Sequence, residues 1–482
     1  MKPNAIITLA HENYIYNALS SICVEVKNKI HDDIIMVNVN FGDFDNDKYT
    51  RSSAYEIKRV EINVENCPGY WTKGSDFVLH LLDNFKRLFD DLRMEYNILA
   101  FLLADDEGTI QKFIITYFNS CRIPVVQWAH GTTSSLHQVL DRTWLPEYDK
   151  EMALSAAGHS EVTIPAVYPR GFNGRCYLCT NGALDTSILS LFNLPAQKIR
   201  QTGNPHYDQV ISGWNNSSPV FKPRNKKTRV LFISPGYAKV GKIAQGFRFY
   251  AFLLSCIKHL PPDKYELSLR LKPGENIEHI NAEHYSQLMQ HGVVIADNSP
   301  QILDIVENYD IFSSDGSTTL ILAMLCRMPC VLLGKNTNQC PEISLFHLLK
   351  ILNPQDSDRI MHLALEPDYV ILQDTWLKER EELLFHRLDG LAASRIADVV
   401  IEAIKNNDLV DPFQPFVYPQ KLEPQKIWHP NVWISADRYW DTPDTADTAQ
   451  SKRSIGISLL KFIANFCPYG LIKIYRQIKN KS

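Results

Sequence analysis

Short apolar runs alternate along this chain with longer segments in which apolar residues recur every three or four positions. The series begins with the run "AIITLA", the helical pattern "YIYNALSSICVEVKNKI" and the run "DIIMVNVNF", and it continues to "PVVQWA" near residue 129. Strands that alternate with helices predict a parallel sheet covered by helices on both faces. We therefore expect an α/β domain in the first part of the chain.

A second series of the same kind follows the polar segment "GWNNSSPVFKPRNKKT", whose composition is typical of an exposed linker. It includes "RVLFIS", "YELSLRL", "DIFSS" and "PCVLLG". Two Rossmann-like domains that face each other would form a cleft at the C-terminal edges of both sheets, where such sheets bind ligands. The predicted divisions are residues 1–212, a linker at 213–228, residues 229–410, an irregular surface segment at 411–450 and a tail at 451–482.

Composition and charge narrow the class of protein. A length of 482 residues favours two domains with extensions. The formal net charge of −4 means that the chain as a whole does not attract nucleic acid electrostatically. The N-terminus lacks a signal-peptide pattern, no apolar run is long enough to span a bilayer, and the cysteines are scattered. We expect a cytosolic enzyme, and we interpret Cys176 and Cys179 as packed strand residues rather than a zinc or redox pair.

Polar residues follow the predicted strands of the first domain. The segment "LLADDEGTIQ" places Asp105, Asp106 and Glu107 after a strand. Mutual repulsion can raise the pKa of one such carboxyl toward the value that a general base needs, whereas the same acids can simply cap the next helix. Both interpretations stay open, and the sequence does not say which acid would be the base.

Two further segments follow strands of the same domain. In "VVQWAHGTTSS", Gln127, His130 and Gly131 are cleft candidates, because His can act as a base and Gly permits a close backbone approach. The turn in "TGNPHYD" is interpreted as a structural hinge, with contact between Asn204 and a ligand as a secondary role.

The second domain offers an anion site. Arg270 and Lys272 lie two apart on an extended chain, so they share a face that suits an oxygen-rich anion. Ser and Thr residues before a helix can cap its free N–H groups, which can hold a phosphate instead. The candidate donor-binding residues are Ser234, Gly236, Arg270, Lys272, Pro273, Ser314, Ser317, Thr318 and Thr319.

Several familiar motifs are absent from the sequence. It contains no G-x-x-x-x-G-K-[ST] phosphate loop, no G-x-S-x-G nucleophile elbow and no H-E-x-x-H zinc helix. We interpret the acidic segment "GDFDNDKY" as an exposed loop rather than a divalent-metal site. No cofactor or metal is therefore predicted.

The order of the motifs resembles bacterial glycosyltransferases of the GT-B fold that make capsular and other surface polysaccharides, including polysialyltransferase-like and Kdo-transferase-like enzymes. The matching segments are the acidic run before Gly108, Q-x-x-H-G, T-G-N-P-x-Y-D, a basic residue before Pro, and S-S-x-x-S-T-T. The resemblance implies that Asp106 or Glu107, with Asp105 as a shifted competitor, deprotonates the acceptor hydroxyl. It also implies that the Ser and Thr elements bind the donor phosphate.

The sequence departs from the polysialyltransferase-like pattern at its His-Pro motif, where Lys272 and Pro273 stand. Lysine keeps a positive charge beside the leaving phosphate, but with an unperturbed pKa of about 10.4 it is a poor proton donor at neutral pH. The substitution speaks against a CMP-sialic acid donor and leaves a UDP-sugar, CMP-Kdo or CDP-glycerol open.

The function that the resemblance implies is transfer of a sugar from a nucleotide-activated donor to a growing bacterial surface polysaccharide, of capsule or lipopolysaccharide type, without a metal. Two alternatives stay open. One is a non-hydrolysing sugar-nucleotide epimerase, which shares the fold and a G-N-x-x-x-D turn. The other is a non-catalytic scaffold that binds glycan or partner enzymes.

The C-terminal segment at residues 451–482 is basic and contains no acidic residue. Leu471, Ile474, Tyr475 and Ile478 fall on one helical stripe beside basic positions, a pattern typical of helices on anionic membranes. We expect peripheral attachment to the inner face of the cell membrane, near a lipid-linked oligosaccharide acceptor. A helix that docks on the protein body is the alternative.

Overall fold

The computed structural model describes most of the chain up to residue 406. The described residues are 2–10, 13–40, 57–61, 75–104, 109–129, 176–190, 196–208, 210–211, 227–236, 243–272, 275, 277–297, 302–315, 317, 319–333 and 349–406. They form two parallel sheets flanked by helices, which confirms the α/β architecture predicted from the alternating pattern.

The first sheet contains seven parallel strands in the order β3-β2-β1-β4-β5-β6-β7. Its strands are β1 (Asn4–Ala10), β2 (Ile34–Asn40), β3 (Ile57–Glu61), β4 (Asn97–Leu103), β5 (Val125–Trp128), β6 (Tyr177–Thr180) and β7 (Ile199–Gln201). The helices between them are α1 (Asn13–Ile30), α2 (Ser75–Glu95), α3 (Thr109–Ser120) and α4 (Ala183–Ser190). The strand order reverses between β1 and β4.

The second sheet contains six parallel strands in the order β10-β9-β8-β11-β12-β13. Its strands are β8 (Thr228–Ile233), β9 (Tyr265–Arg270), β10 (Val294–Ala296), β11 (Ile311–Ser314), β12 (Cys330–Leu333) and β13 (Lys350–Leu352). The helices from here onward are α5 (Ile243–Ile257), α6 (Ala282–Gln290), α7 (Ile302–Ile305), α8 (Thr319–Leu325), α9 (Ser357–Ala364), α10 (Pro367–Glu379), α11 (Glu381–Leu384) and α12 (Ala392–Asn406).

The apolar strands are explained by burial on both faces of the sheet. In β1, Ala5 and Ile7 belong to one core with α2 and α3, whereas Ile6 and Ala10 belong to a second core with α1. Because successive side chains of a strand point to opposite faces, a sheet that is covered on both sides needs continuous apolar runs. The apolar runs of the sequence therefore predicted this burial.

Helix α12 packs on the first sheet, although it follows the second sheet in the chain. Ile396 and Val400 lie in the same core as Ile6 and Trp128. The side chain of Glu402 also accepts a 2.6 Å hydrogen bond from Arg200, in β7. The predicted division assigned residues 229–410 to the second domain, because an amphipathic pattern shows that a helix packs but not on which sheet it packs.

Candidate functional site

The strand order of the second sheet reverses between β8 and β11, and ligands of open α/β sheets bind beyond the strand ends at such a point. Strand β8 is followed directly by Ser234, and β11 ends at Ser314. The Ser314 hydroxyl donates a 2.9 Å hydrogen bond to the Ile233 carbonyl, which joins the two strand ends. Two of the predicted donor-binding segments therefore meet at this edge.

Lys272 lies over Gly236, which follows the end of β8. Gly236 has a φ of +73°, and a Cβ atom added there would lie 2.5 Å from Lys272 Cδ. Glycine thus supplies both the left-handed backbone conformation and the space for the lysine stem. Lys272 is exposed and forms no ion pair within the described part of the chain, so its ammonium group can bind an anion.

Ser317 caps the start of α8. The Thr319 N–H donates to Ser317 Oγ at 3.3 Å, and the Leu320 N–H donates to the Ser317 carbonyl at 2.9 Å. The Ser317 hydroxyl in turn donates to Thr319 Oγ1 at 3.2 Å. The predicted cap is confirmed, and both side chains stay partly exposed beside the strand ends.

A buried hydrogen-bond network supports the Gly236 turn from behind. The Gly236 N–H donates to Ser234 Oγ at 3.2 Å, Ser234 Oγ lies 3.2 Å from the Tyr250 hydroxyl, and Tyr250 donates to Glu275 Oε1 at 3.2 Å. Burial and the Glu275 charge raise the pKa of Tyr250, so the phenol keeps its proton. We call Ser234, Tyr250 and Glu275 the Ser234 network. Sequence reasoning did not identify Tyr250 as part of the site.

The predicted donor-binding residues divide by exposure. Ser234, Arg270 and Ser314 are buried, and the hydroxyls of the two serines bond within the protein. Lys272, Ser317 and Thr319 are open to solvent in whole or in part. Pro273 and Thr318 lie outside the described residues. Lys272 and the Ser317 cap are thus accessible to a ligand, whereas Ser234 and Ser314 are buried.

The predicted residues of the first domain are only partly described. Gln127 is fully buried in β5, where it is paired in register with Leu103 of β4 and Leu178 of β6. Asn204 is also buried, and its side-chain oxygen accepts a 3.0 Å hydrogen bond from the His206 N–H. The candidates outside the described residues are Asp105, Asp106, Glu107, His130 and Gly131.

The turn after β7 joins the first sheet to α12. Gly203 has a φ of +81°, and an added Cβ would lie 3.0 Å from the Phe385 carbonyl oxygen. The Asp208 carboxylate accepts hydrogen bonds from the Ala392 and Ala393 N–H groups at 3.1 and 2.8 Å, so it caps α12. These contacts confirm a structural role for the turn.

The cysteine pair is buried. Burial raises the pKa of the Cys179 thiol to about 12, and Cys176 is buried in the other core of the first sheet. A protonated thiol is a poor nucleophile and metal ligand, which supports the interpretation that the pair packs in the core. Within the described ranges, no cluster of His, Cys, Asp or Glu side chains could hold a metal ion.

The segment of residues 407–482 lies outside the described part of the chain, so the amphipathic tail and its membrane contact stay predictions. Among the helices that the structure describes, none is both long and apolar enough to cross a bilayer.

Comparison with known proteins gives matches of structure alone. No protein-family model and no curated protein sequence matches this chain. The UDP-GlcNAc 2-epimerase of Neisseria meningitidis, solved with UDP-GlcNAc bound, has a TM-score of 0.53 at 14% identity, over 84% of this chain and 100% of that one.

Two further solved structures match at a similar level. A UDP-N-acetylglucosamine 2-epimerase gives a TM-score of 0.53 at 13% identity, over 86% of this chain and 100% of its own. The MnaA protein of S. aureus, solved with UDP, gives a TM-score of 0.52 at 12% identity, over 86% of this chain and 99% of its own. At such low identity the likeness shows the fold, which is the GT-B arrangement of two Rossmann-like domains.

Proposed function

We propose that this protein is an enzyme that acts on a nucleoside diphosphate sugar and binds its diphosphate at the strand ends of the second sheet. The observation that carries the proposal is the exposed Lys272, which has no ion pair among the described residues and whose stem lies over Gly236, beside the β8–β11 reversal. The strand ends at this edge bring the exposed lysine beside the point at which the strand order reverses. Lysine binds phosphates as a point charge, so a cation at this edge suits the charge of a diphosphate.

Epimerisation is the first reaction to test. The solved structures that share this fold with TM-scores above 0.5 include UDP-GlcNAc 2-epimerases, and ligands found in this group are UDP-GlcNAc and UDP. The chain also has the G-N-x-x-x-D turn, from Gly203 to Asp208. In this reaction Lys272 would hold the charge of the nucleotide phosphates while a general acid and base act on the sugar.

Glycosyl transfer to a surface polysaccharide is the second candidate, and it rests on the order of the sequence motifs. Asp106 or Glu107 would deprotonate an acceptor hydroxyl, while Lys272 stabilises the departing nucleotide phosphate. The basic segment at residues 451–482 would then hold the enzyme near a lipid-linked acceptor at an anionic membrane.

One incubation separates the candidates. The purified full-length protein is mixed with UDP-GlcNAc in D2O without an acceptor, and the sugar protons are followed by NMR. An epimerase breaks the bond between the stereocentre and its hydrogen, so we expect a second UDP-sugar with deuterium at that carbon.

Turnover that requires an added oligosaccharide acceptor, with release of UDP, would favour transfer instead. Variants Asp106→Asn and Glu107→Gln test the acidic run in either case, because loss of a required general base lowers the rate about 100-fold or more. Absence of both turnover and nucleotide binding would overturn the proposal in favour of a scaffold.

A further inference from the structure

We propose that Glu275 is a positioning residue, which acts with Tyr250 to hold Lys272 and the Gly236 turn in the geometry that binds a diphosphate. The inference rests on the proposed nucleotide-sugar function. Neither side chain is accessible enough to contact the diphosphate directly, since Tyr250 is 1% and Glu275 4% exposed. Their role is to fix the groups that contact the ligand.

The direction of the hydrogen bonds in the Ser234 network follows from counting hydrogens. Tyr250 has one hydroxyl hydrogen, which it donates to Glu275 Oε1. The 3.2 Å contact between Ser234 and Tyr250 must therefore use the hydroxyl hydrogen of Ser234. The Gly236 N–H in turn donates to Ser234 Oγ. Every donor in the series points toward the buried carboxylate, an arrangement in which each bond strengthens the next.

Glu275 also holds the backbone of Lys272 directly. Its Oε2 atom accepts a 3.1 Å hydrogen bond from the Lys272 N–H, and its own N–H donates to the Lys272 carbonyl at 2.8 Å. The two oxygens of one carboxylate thus connect to Lys272 on one side and, through Tyr250 and Ser234, to Gly236 on the other. These are the two residues whose close contact places the ammonium group.

The chemistry requires a carboxylate at this position. Both oxygens of Glu275 accept a hydrogen bond, whereas a glutamine has one acceptor oxygen and an NH2 group that can only donate. Glu275→Gln therefore keeps the size of the side chain, but its NH2 group faces either the Tyr250 hydroxyl or the Lys272 N–H. Each of these groups is itself a donor, so one hydrogen bond is lost. Tyr250→Phe removes the hydrogen bonds of the hydroxyl to Ser234 and to Glu275 Oε1, and it leaves the contact between Glu275 Oε2 and Lys272 in place.

The experiment measures UDP binding by calorimetry and amide hydrogen exchange by NMR in the full chain and its variants. For Glu275→Gln we expect the dissociation constant of UDP to rise about tenfold, because Lys272 loses its fixed position. Tyr250→Phe should raise it by a smaller factor. Exchange of the Gly236 amide should accelerate in both variants, and exchange of the Lys272 amide in Glu275→Gln alone.

A role limited to stability would lower the melting temperature but leave the UDP affinity of the folded protein unchanged, and that result would overturn the proposal. Tyr250→Phe decides the question by its own affinity and its Gly236 exchange if Glu275→Gln does not fold. Absence of UDP binding to the unchanged protein would instead overturn the proposed function, and this inference with it. UDP binding that is equal in all variants would leave the nucleotide site standing and remove only the positioning role.

Discussion

The Arg395 side chain donates a 2.7 Å hydrogen bond from Nε to the backbone carbonyl of Thr202. This bond joins α12 to the turn that ends β7, although the two residues lie far apart in the chain. Asp389 binds the other end of the same guanidinium group, with both carboxylate oxygens within 2.9 Å of Nη1. The joint between α12 and the first sheet therefore depends on a few specific polar contacts as well as on apolar packing.

Substitution of Gly203 tests how closely the turn after β7 approaches the backbone of Phe385. In Gly203→Ala the new Cβ is forced into a left-handed conformation and lies 3.0 Å from the Phe385 carbonyl oxygen. We expect a loss of about 2–4 kcal/mol in the free energy of unfolding, measured by urea denaturation. Gly292→Ala is the control, because its φ is +73° with no atom within 4 Å, and it should lose only about 1–2 kcal/mol. Equal losses would contradict the close approach.

The ion pair between Asp389 and Arg395 predicts a dependence of stability on pH. Partial burial works to raise the pKa of Asp389, but the hydrogen bonds from Arg395 and from the Leu391 N–H, together with the charge of Arg395, outweigh it, so the pKa is lowered. The contribution of the carboxylate is thus fully present above the usual aspartate pKa of about 3.9 and is lost as the pH falls through the lower value of the folded protein.

Asp389→Asn should accordingly be less stable than the unchanged protein in urea at pH 7, and the difference should shrink below about pH 4. Asp263→Asn, at an exposed aspartate without an ion pair in the described part of the chain, should differ by less than about 0.5 kcal/mol throughout. A difference for Asp389→Asn that stayed constant into the acid range would show that the pair does not set the pKa.

The hydroxyl of Tyr369 connects two neighbouring strands. It accepts a 2.8 Å hydrogen bond from the Lys350 N–H and donates a 2.7 Å bond to the Cys330 carbonyl. Tyr369→Phe leaves these backbone groups without their partner, and we expect a loss of about 1–3 kcal/mol in the free energy of unfolding. Tyr285→Phe, whose hydroxyl makes no such bond among the described residues, serves as the control and should be nearly neutral. A neutral Tyr369→Phe would be inconsistent with the bonds to β12 and β13.

Gly236→Ala tests whether the position of Lys272 affects UDP affinity separately from the stability of the protein. The added Cβ would lie 2.5 Å from Lys272 Cδ and 3.0 Å from its Cβ, so the lysine side chain must move. We expect a UDP dissociation constant several-fold higher, together with a stability loss of about 1–2 kcal/mol from the left-handed conformation. Gly292→Ala has the same φ of +73° and should share the stability loss without the loss of affinity. Unchanged affinity in Gly236→Ala would mean that Lys272 does not contact the ligand.

The sequence allowed much of the architecture to be predicted, because apolar runs and helical periods are local. The segments from "AIITLA" to "PCVLLG" form the strands and helices that their patterns indicated. Parallel strands end at one edge of a sheet, so the polar residues after β8, β9 and β11 could be placed together before the structure was known. The Ser317 cap followed from its position before an apolar helix.

The remaining features depend on contacts between distant parts of the chain. Tyr250 lies in the apolar helix "FRFYAFLLSCI", where the pattern indicates only a core residue, and its contact with Glu275 exists because α5 packs behind the ends of β8 and β9. Ser314 follows the pattern of a ligand-binding residue, yet its hydroxyl bonds to the backbone of the neighbouring strand. Local patterns do not determine the strand order that creates either contact.

The central claim is that a nucleotide binds at the Lys272 edge of the second sheet, and titration calorimetry of UDP into the full-length protein tests it most directly. We predict measurable binding that weakens about tenfold in Lys272→Met, which keeps the stem over Gly236 but removes the charge. Lys258→Met, at an exposed lysine in the segment after α5, should bind like the unchanged protein. Absence of UDP binding, or equal affinity in Lys272→Met and the unchanged protein, would contradict the account.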